Sequence, residues 1–455
     1  MSIDQQQLGL GAALGFGSER AGQRVTWRQW SMVGALTLLY IYAQIDRSAL
    51  ILMVGPIKQD LGMTDTEMSL LLGLSFASFY AVLGLPAGYL VDRMSRRAIM
   101  GVGVILWSSM TMSCGLAQTY WQLFLGRCGV GIGEAALTPA SYSLIRDAFP
   151  PEKRGRAFGI FAAGTYIGAA AAVMLTGALL GLISTGALSA MPWVGALRPW
   201  QAVLVLIGAF GFPLSLLVLT FREPARASQS AANADVHFAE ALAHIKTQWR
   251  TYLPLVTWVT CFFGVSTSYG SWMPTIIART WHLPPAQIGL FFGGCLLICA
   301  PIGAWCGGYA IDALLQRGRR DAAPLVGVCV TIIFIPFAIA APIVPAVGEM
   351  FFALAAQLLV NGAYLPVAAS ILAQITPQRL MGKVTAIYLL VFTLLGLGFG
   401  PTLVAAISDN FYAGPQALGF ALGTATAGLM ALALVTIALL RQRAREGALS
   451  AAQSG

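Results

Sequence analysis

The stretch Gly126-Arg127-Cys128-Gly129-Val130-Gly131-Ile132-Gly133-Glu134-Ala135 sets a cation and an anion two helical turns apart among apolar and small residues. At a rise of about 1.5 Å per residue, Arg127 and Glu134 share one helix face, about 10 Å apart along its axis. The segment around them, from about Tyr120 to Ile145, is long and apolar enough to span a bilayer. Ionisable side chains are costly at that depth and usually line a cavity, so the stretch points to a polar path through a membrane protein. Its four glycines weaken the helix but let a neighbouring backbone come close.

Composition agrees. The chain of 455 residues is 57% hydrophobic and 10% charged, where a soluble domain carries about 25% charged residues. The apolar residues come in runs of roughly twenty, which reads as an all-α polytopic membrane protein; barrel strands would alternate over ~10 residues. The net charge of +9 is scattered over short loops rather than gathered on one face, which argues against nucleic acid as a partner. Cys114, Cys128, Cys261, Cys295, Cys299, Cys306 and Cys329 fall in apolar segments without metal-ligand spacing. They read as small buried hydrophobes, with no disulfide, metal or cofactor implied.

Twelve spans are expected, near 29–52, 67–90, 98–117, 120–145, 156–183, 200–221, 252–278, 287–312, 323–343, 350–374, 382–406 and 416–440. They form two six-helix bundles, 29–221 and 251–440. A polar arm, 1–28, reads as disordered and without a signal peptide, and a tail covers 441–455. The connection 222–250 starts as a flexible linker. It ends with Phe238, Leu242, Ile245 and Trp249 at helical spacing, as in an amphipathic helix on the inner membrane surface, with a solvated linker helix as the alternative. Nearly all loop Lys and Arg residues lie in the arm, alternate loops and tail, against Lys58, Arg198 and Arg279 on the opposite side. Both termini are therefore expected in the cytoplasm, with the protein in the plasma (inner) membrane.

The halves repeat. Gly88-Tyr89-Leu90-Val91-Asp92, followed by Arg93, Arg96 and Arg97, closes span 2; Gly308-Tyr309-Ala310-Ile311-Asp312, followed by Arg317, Arg319 and Arg320, closes span 8. Such a carboxylate can meet the start of a helix from the other half, where the helix dipole favours negative charge. Arg154 and Arg156 stand at the start of span 5 and Lys383 at the start of span 11. Asp92, Arg93, Arg96, Arg97, Arg154, Arg156, Asp312 and Lys383 are the candidate inner gate.

Gly88-Tyr-Leu-Val-Asp92-Arg93-Met-Ser-Arg96-Arg97 resembles the loop signature of the major facilitator superfamily, with Ser95 where that family usually has glycine. Within the superfamily, Asp46-Arg47, Arg127 with Gly131-Ile-Gly133-Glu134-Ala135, and Pro150-Pro151-Glu152-Lys153-Arg154-Gly155-Arg156 resemble the spinster-like branch. The resemblance implies a secondary transporter, and the branch implies a lysolipid or sphingoid-phosphate type of substrate. In span 5, Ala169 follows Gly164-x-x-x-Gly168 where exporters of the superfamily carry proline. That motif and Gly396-x-x-x-Gly400-Pro401 in span 11 read as close-packing sites.

Asp46 and Arg47, inside span 1, make a second buried charge pair pointing about 100° apart. The expected arrangement pairs Arg47 and Arg127 with Glu134 and Asp46 across spans 1 and 4. Burial disfavours a carboxylate's charge and a nearby guanidinium restores it, a balance suited to a group that gains and loses a proton. No histidine falls in a span. Glu134, then Asp46, are thus the candidate proton-coupling groups, and Arg47 and Arg127 candidate substrate ligands. A fixed ion-pair network is the competing structural role. Second-half candidates for substrate are Tyr269, Trp272, Asn361 and Tyr364, with Gln357 and Tyr388 also mid-span. No nucleophile-base set or metal cluster points to an enzyme. The expectation is a monomeric, proton-coupled alternating-access transporter for an amphipathic, lysolipid-like or anionic or zwitterionic molecule. A proton-coupled symporter for an organic or sugar acid is the alternative.

Overall fold

The structure is a computed structural model that describes residues 25–186, 195–226 and 238–447. Among the described residues there is no strand. Span 1 covers Trp27–Leu61. Span 2 runs as Asp65–Ser69, a π-helical turn Leu70–Leu74, and Ser75–Arg93; span 3 is Arg96–Gly115. Span 4 is interrupted, Tyr120–Glu134 then Leu137–Ala148. Span 5 is Pro151–Ser184, and span 6 is Pro199–Ser215 with a 3-10 turn Leu216–Leu219. After the linker helix Phe238–Thr247 come span 7, Trp249–Trp281, span 8, Pro285–Gln316, and span 9, Ala322–Ala340. Span 10 is also interrupted, Val347–Gly362 then Tyr364–Ile375; spans 11 and 12 are Met381–Phe411 and Ala417–Arg445.

Among the described residues, ten helices are long and apolar enough to cross a membrane. The interrupted span 4 and Trp249–Trp281 complete the twelve. Several spans run beyond the apolar runs that announced them: span 1 continues to Leu61 and span 7 reaches from Trp249 to Trp281. Local chemistry sets the ends. Pro151, Pro199 and Pro285 open helices where a missing N–H is harmless. Thr64 caps span 2 and shares a capping box with Glu67. Gly62 (φ 64°) supplies the left-handed turn that lets span 1 reverse into span 2.

Each half packs through small residues. Gly168 lies on Gln44 of span 1, where an added Cβ would come within 2.6 Å of its Cβ, and Gly400 lies on Gly264 of span 7 at 2.4 Å. Spans 5 and 11 thus do use their glycine pairs for close crossings. The linker helix buries Ala241 and leaves Leu242 more than half exposed, as is Trp249 at the start of span 7. Large apolar side chains such as Val82, Val102, Trp121, Phe210, Trp305, Phe352 and Phe399 are exposed on the spans, as befits helices solvated by lipid rather than water. Cys306 and Cys329 join that exposed surface, while Cys114, Cys128 and Cys261 are buried and Cys295 and Cys299 half-buried; the uniform burial expected of the cysteines does not hold.

We call the face at which Val25 and Gly447 lie the terminal face, and its opposite the far face. Between the halves, hydrogen bonds and ion pairs among the described residues are Thr66 with Asp409, Ser69 with Thr402, and Asp65 with Arg279. Backbone-close contacts join Gly73 to Leu397, and Gly177, Gly289 and Gly293 tie span 5 to span 8. All lie in the far-face half of the bundle. Toward the terminal face, Gly84, Gly88, Gly155, Gly159 and Gly382 have open space around them. Among the described residues, the hydrogen bonds and ion pairs between the bundles are thus confined to the far-face side.

Candidate functional site

Span 4 breaks immediately after Glu134, at Ala135-Ala136. Span 10 breaks at the corresponding place, Ala363, just after Asn361-Gly362. The repeat therefore sets a carboxylate at the break of one half and an amide at that of the other. Gly133 brings spans 3 and 4 into backbone contact: its Cβ would stand 2.7 Å from the Trp107 nitrogen, and a Cβ on Gly103 2.7 Å from the Gly133 carbonyl. Gly131 does the same against the Phe76 carbonyl of span 2, at 2.8 Å. Close packing on two sides fixes where Glu134 points.

Arg47 Nη2 donates to Glu134 Oε2 at 2.6 Å, joining span 1 to span 4. Its guanidinium lies over the Phe76 and Tyr80 rings, 4.4 and 5.1 Å from their centroids, a stabilising placement for a cation removed from water. Arg127 Nη2 donates to the Arg47 carbonyl at 3.1 Å and lies 5.7 Å from the Phe76 centroid. Asp46 receives the Thr111 hydroxyl of span 3, 2.7 and 2.6 Å from its two oxygens. Asp46, Arg127 and Glu134 are at most 1% exposed, whereas the Arg47 side chain is 25% exposed. Glu134 Oε1 and the Nε atoms of Arg47 and Arg127 have no hydrogen-bond partner among the described residues. The cluster is compact, partly open through Arg47, and under-satisfied.

The expected cross-pairing forms only in part. Arg47 takes Glu134, but Asp46 turns to Thr111, and Arg127 contacts a backbone carbonyl instead of a carboxylate. Adjacent residues on a helix diverge by about 100°, so Asp46 faces span 3 when Arg47 faces span 4. Sequence reasoning missed Thr111, Phe76 and Tyr80. The four-residue spacing of Phe76 and Tyr80, which stack at 5.3 Å, marks one face of span 2 and was the available signal.

In the second half, Tyr269 donates its hydroxyl to the Ala338 carbonyl, and Trp272 Nε1 donates to the Pro401 carbonyl at 2.9 Å. Both are buried and bind backbone within their own half. Asn361 Nδ2 donates to Ser266 Oγ at 3.0 Å while its Oδ1 has no partner among the described residues. Tyr364 stacks on Phe262 at 5.6 Å. Among the described residues, both amide atoms of the fully buried Gln357 and the Tyr388 hydroxyl are also without partners.

Five of the gate candidates, Arg93, Arg96, Arg97, Arg154 and Arg156, make contacts within their own half. Arg93 lies over Tyr89 and Arg156 over Trp30. Arg97 donates to the Val218 and Leu219 carbonyls, and Arg154 to the Phe149 carbonyl. Arg96 is buried and binds Asp147 at 2.5 Å, Glu223 at 2.8 Å and the Pro224 carbonyl, clasping spans 3, 4 and 6 together. Burial pushes the Glu223 carboxyl up, but bonds from Arg96 and Ser95 outweigh it and hold it below the usual glutamate range. In the second half, Asp321 receives Arg319, Arg441 and Arg445. Asp312 is exposed and Lys383 half-buried, and the Asp92 side chain lies outside the described residues. A cavity of about 880 Å³ opens on this face between spans 1, 4 and 6, lined by Arg28, Asp147, Arg154 and Arg222 among others. Asp147 is about 20 Å along span 4 from Glu134, so this cavity is separate from the charge cluster. Among the described residues, no three His, Cys, Asp or Glu side chains gather as metal donors.

Residues 36–401 match the Major Facilitator Superfamily. The chain is 27% identical over 411 residues to an MFS-type efflux pump of Mycolicibacterium smegmatis, covering 89% of this chain and 90% of that one. It is 28% identical over 321 residues to a probable L-galactonate transporter of Escherichia coli, covering 65% of each. The crystal structure of a bacterial homologue of the human lysosomal transporter Spinster, inward-facing and unoccupied, superposes with a TM-score of 0.81 at 26% identity, covering 92% of this chain and 98% of that one. Matching in sequence from span 1 to span 11, and in its twelve-helix form, the chain belongs to the Major Facilitator Superfamily and is a membrane transporter of the spinster-like branch.

Proposed function

We propose that this chain is a proton-coupled, alternating-access transporter in which Glu134 is the principal proton-coupling group and Asp46 the second. One observation carries the reading. The mid-membrane Glu134 holds Arg47 with one oxygen and leaves the other without a partner. A proton on that carboxylate weakens its hold on Arg47, and an anionic group delivered to Arg47 competes for the same guanidinium. Proton and substrate thereby act on one ion pair, which is the physical content of coupling. The terminal face, rich in Lys and Arg, is the cytoplasmic one. Polar contacts between the halves lie on the opposite side, which supports reading this as an inward-open state.

The substrate is an amphiphile with an anionic or zwitterionic head, of the lysolipid kind. The head binds Arg47, with Arg127 behind it. The apolar part lies along Tyr80, with Asn361 as polar contact opposite and the buried Phe76, Phe262 and Tyr364 backing the wall. Tyr269 and Trp272, already bound to backbone, shape this wall from behind. A second reading, a sugar acid, is favoured by the likeness to the L-galactonate transporter. Counter-flow in proteoliposomes tests both. Labelled lysophospholipid should exchange and resist competition by galactonate; exchange of galactonate with no effect of lysophospholipid would replace the first substrate by the second.

A further inference from the structure

Three arginines converge on the terminal-face cavity of about 880 Å³. Arg28 reaches it from the start of span 1, Arg154 from the start of span 5, and Arg222 from just beyond span 6. Neighbouring guanidinium groups are already engaged. Arg96 holds Asp147 and Glu223, Arg97 donates to the Val218 and Leu219 carbonyls, and Arg226 to those of Val91 and Met94. The three around the cavity differ. Among the described residues, the Arg28 and Arg222 side chains have no partner, and Arg154 uses only Nε, on the Phe149 carbonyl at 2.9 Å.

No carboxylate on the cavity wall is free to take them. Asp147 lines it, but one of its oxygens receives Arg96 at 2.5 Å and the other Arg146 at 3.2 Å. Glu223, next to Arg222 in the chain, is bound by Arg96 and Ser95. Like charges around one space repel, and an anion placed among them removes that cost. Loop arginines that only set topology have no need to converge.

The donor set narrows the anion. Each guanidinium presents a planar fork of donors, and a phosphate monoester offers three outer oxygens and a charge of about −1.5 to −2. A carboxylate, with two oxygens and one charge, leaves one of the three arginines unmatched. The cavity is also far larger than a phosphate group. Met32, Phe149 and Phe221 give it an apolar wall, so the phosphate comes with an organic body.

We propose that this cavity binds an organic phosphate through Arg28, Arg154 and Arg222, at a site separate from the Arg47–Glu134 cluster. A soluble phosphate monoester and the head of a phospholipid bring the same chemistry. The site stands whatever the protein transports.

Two probes share that head group, glycerol 3-phosphate and phosphatidic acid. The first is titrated by calorimetry into the full-length protein in phosphatidylcholine nanodiscs; for the second, melting temperature is compared in nanodiscs with and without phosphatidic acid. Wild type, Arg47→Ala and the double variant Arg28→Gln/Arg222→Gln are measured side by side. At least one probe should act on wild type and Arg47→Ala alike. Glycerol 3-phosphate should bind the double variant about 100-fold more weakly, about tenfold for each arginine lost, and the rise in melting temperature with phosphatidic acid should vanish there. A response to glycerol 3-phosphate alone identifies a soluble ligand, and one to phosphatidic acid alone a lipid. Without either probe the double variant should melt no lower than wild type, because Arg28 and Arg222 hold nothing; a lower melting temperature marks a structural role and overturns the proposal. So does an equal response in the double variant, or no response to either probe. Loss of the response in Arg47→Ala places the phosphate at the charge cluster and overturns the separate site. Inorganic phosphate that binds as tightly as glycerol 3-phosphate leaves an adventitious ion only.

Discussion

Arg47 of span 1 donates to Glu134 of span 4 at 2.6 Å, so the partly exposed charge of the cluster is bound directly to a carboxylate that is 1% exposed. Whatever reaches Arg47 from the space between the halves is felt at Glu134 without any intermediate group. Removing Arg47 therefore does two things. Arg47→Ala leaves a buried carboxylate unpaired and should lower stability by about 3 kcal/mol, the lower end for a broken buried pair because a quarter of Arg47 is exposed. Arg47→Ala combined with Glu134→Gln should recover most of that loss without recovering substrate binding. Thermal unfolding in detergent across the double-mutant cycle checks it, and additive losses would mean the pair is not coupled.

The glycines of span 4 are not equivalent. A Cβ at Gly133 meets the Trp107 backbone nitrogen at 2.7 Å, whereas at Gly129 it meets the Met110 side chain, whose thioether can move aside. Gly133→Ala should cost about 1–3 kcal/mol and reduce transport by displacing Glu134, while Gly129→Ala stays near wild type. Melting temperature and initial uptake rate, measured for both, distinguish them.

At the terminal face, Arg96 neutralises the buried Asp147 and binds Glu223. Arg96→Ala should destabilise by about 3 kcal/mol, because the buried Asp147 is left with only the half-exposed Arg146 at 3.2 Å. Glu223 titrates below its ordinary value in the folded protein, so its contribution is complete above about pH 4.3 and is lost as pH falls through the depressed folded value. Melting temperature should thus hold steady for this clasp from pH 8 to 5 and fall below about pH 4, and Glu223→Gln should weaken that acid-side fall.

Much of this was legible because charge is conspicuous in an apolar run. Arg127, Glu134, Asp46 and Arg47 announced themselves by type and depth, and the Gly-Tyr-x-x-Asp repeat exposed the two halves. Thr111 did not, since hydroxyls are common in spans and usually bond their own helix, as Ser75 and Thr436 do here. The break after Glu134 was hidden because Ala135-Ala136 are good helix formers; tertiary packing, not propensity, interrupts the helix there. The outer contacts were beyond reach for another reason. Thr66 and Asp409 are 343 residues apart, and no periodicity within one span tells which distant helix it will touch. Arg96 was read as part of a gate, whereas it lies buried as the clasp of its own half.

The most direct test of the account is pH-gradient-driven uptake of labelled lysophospholipid into proteoliposomes by Glu134→Gln beside the wild type, with counter-flow measured on the same vesicles. Glutamine keeps the shape and can still accept from Arg47, but it neither gains nor loses a proton. The account predicts that accumulation against a gradient disappears while counter-flow continues. Gradient-driven accumulation that survives in Glu134→Gln would contradict it.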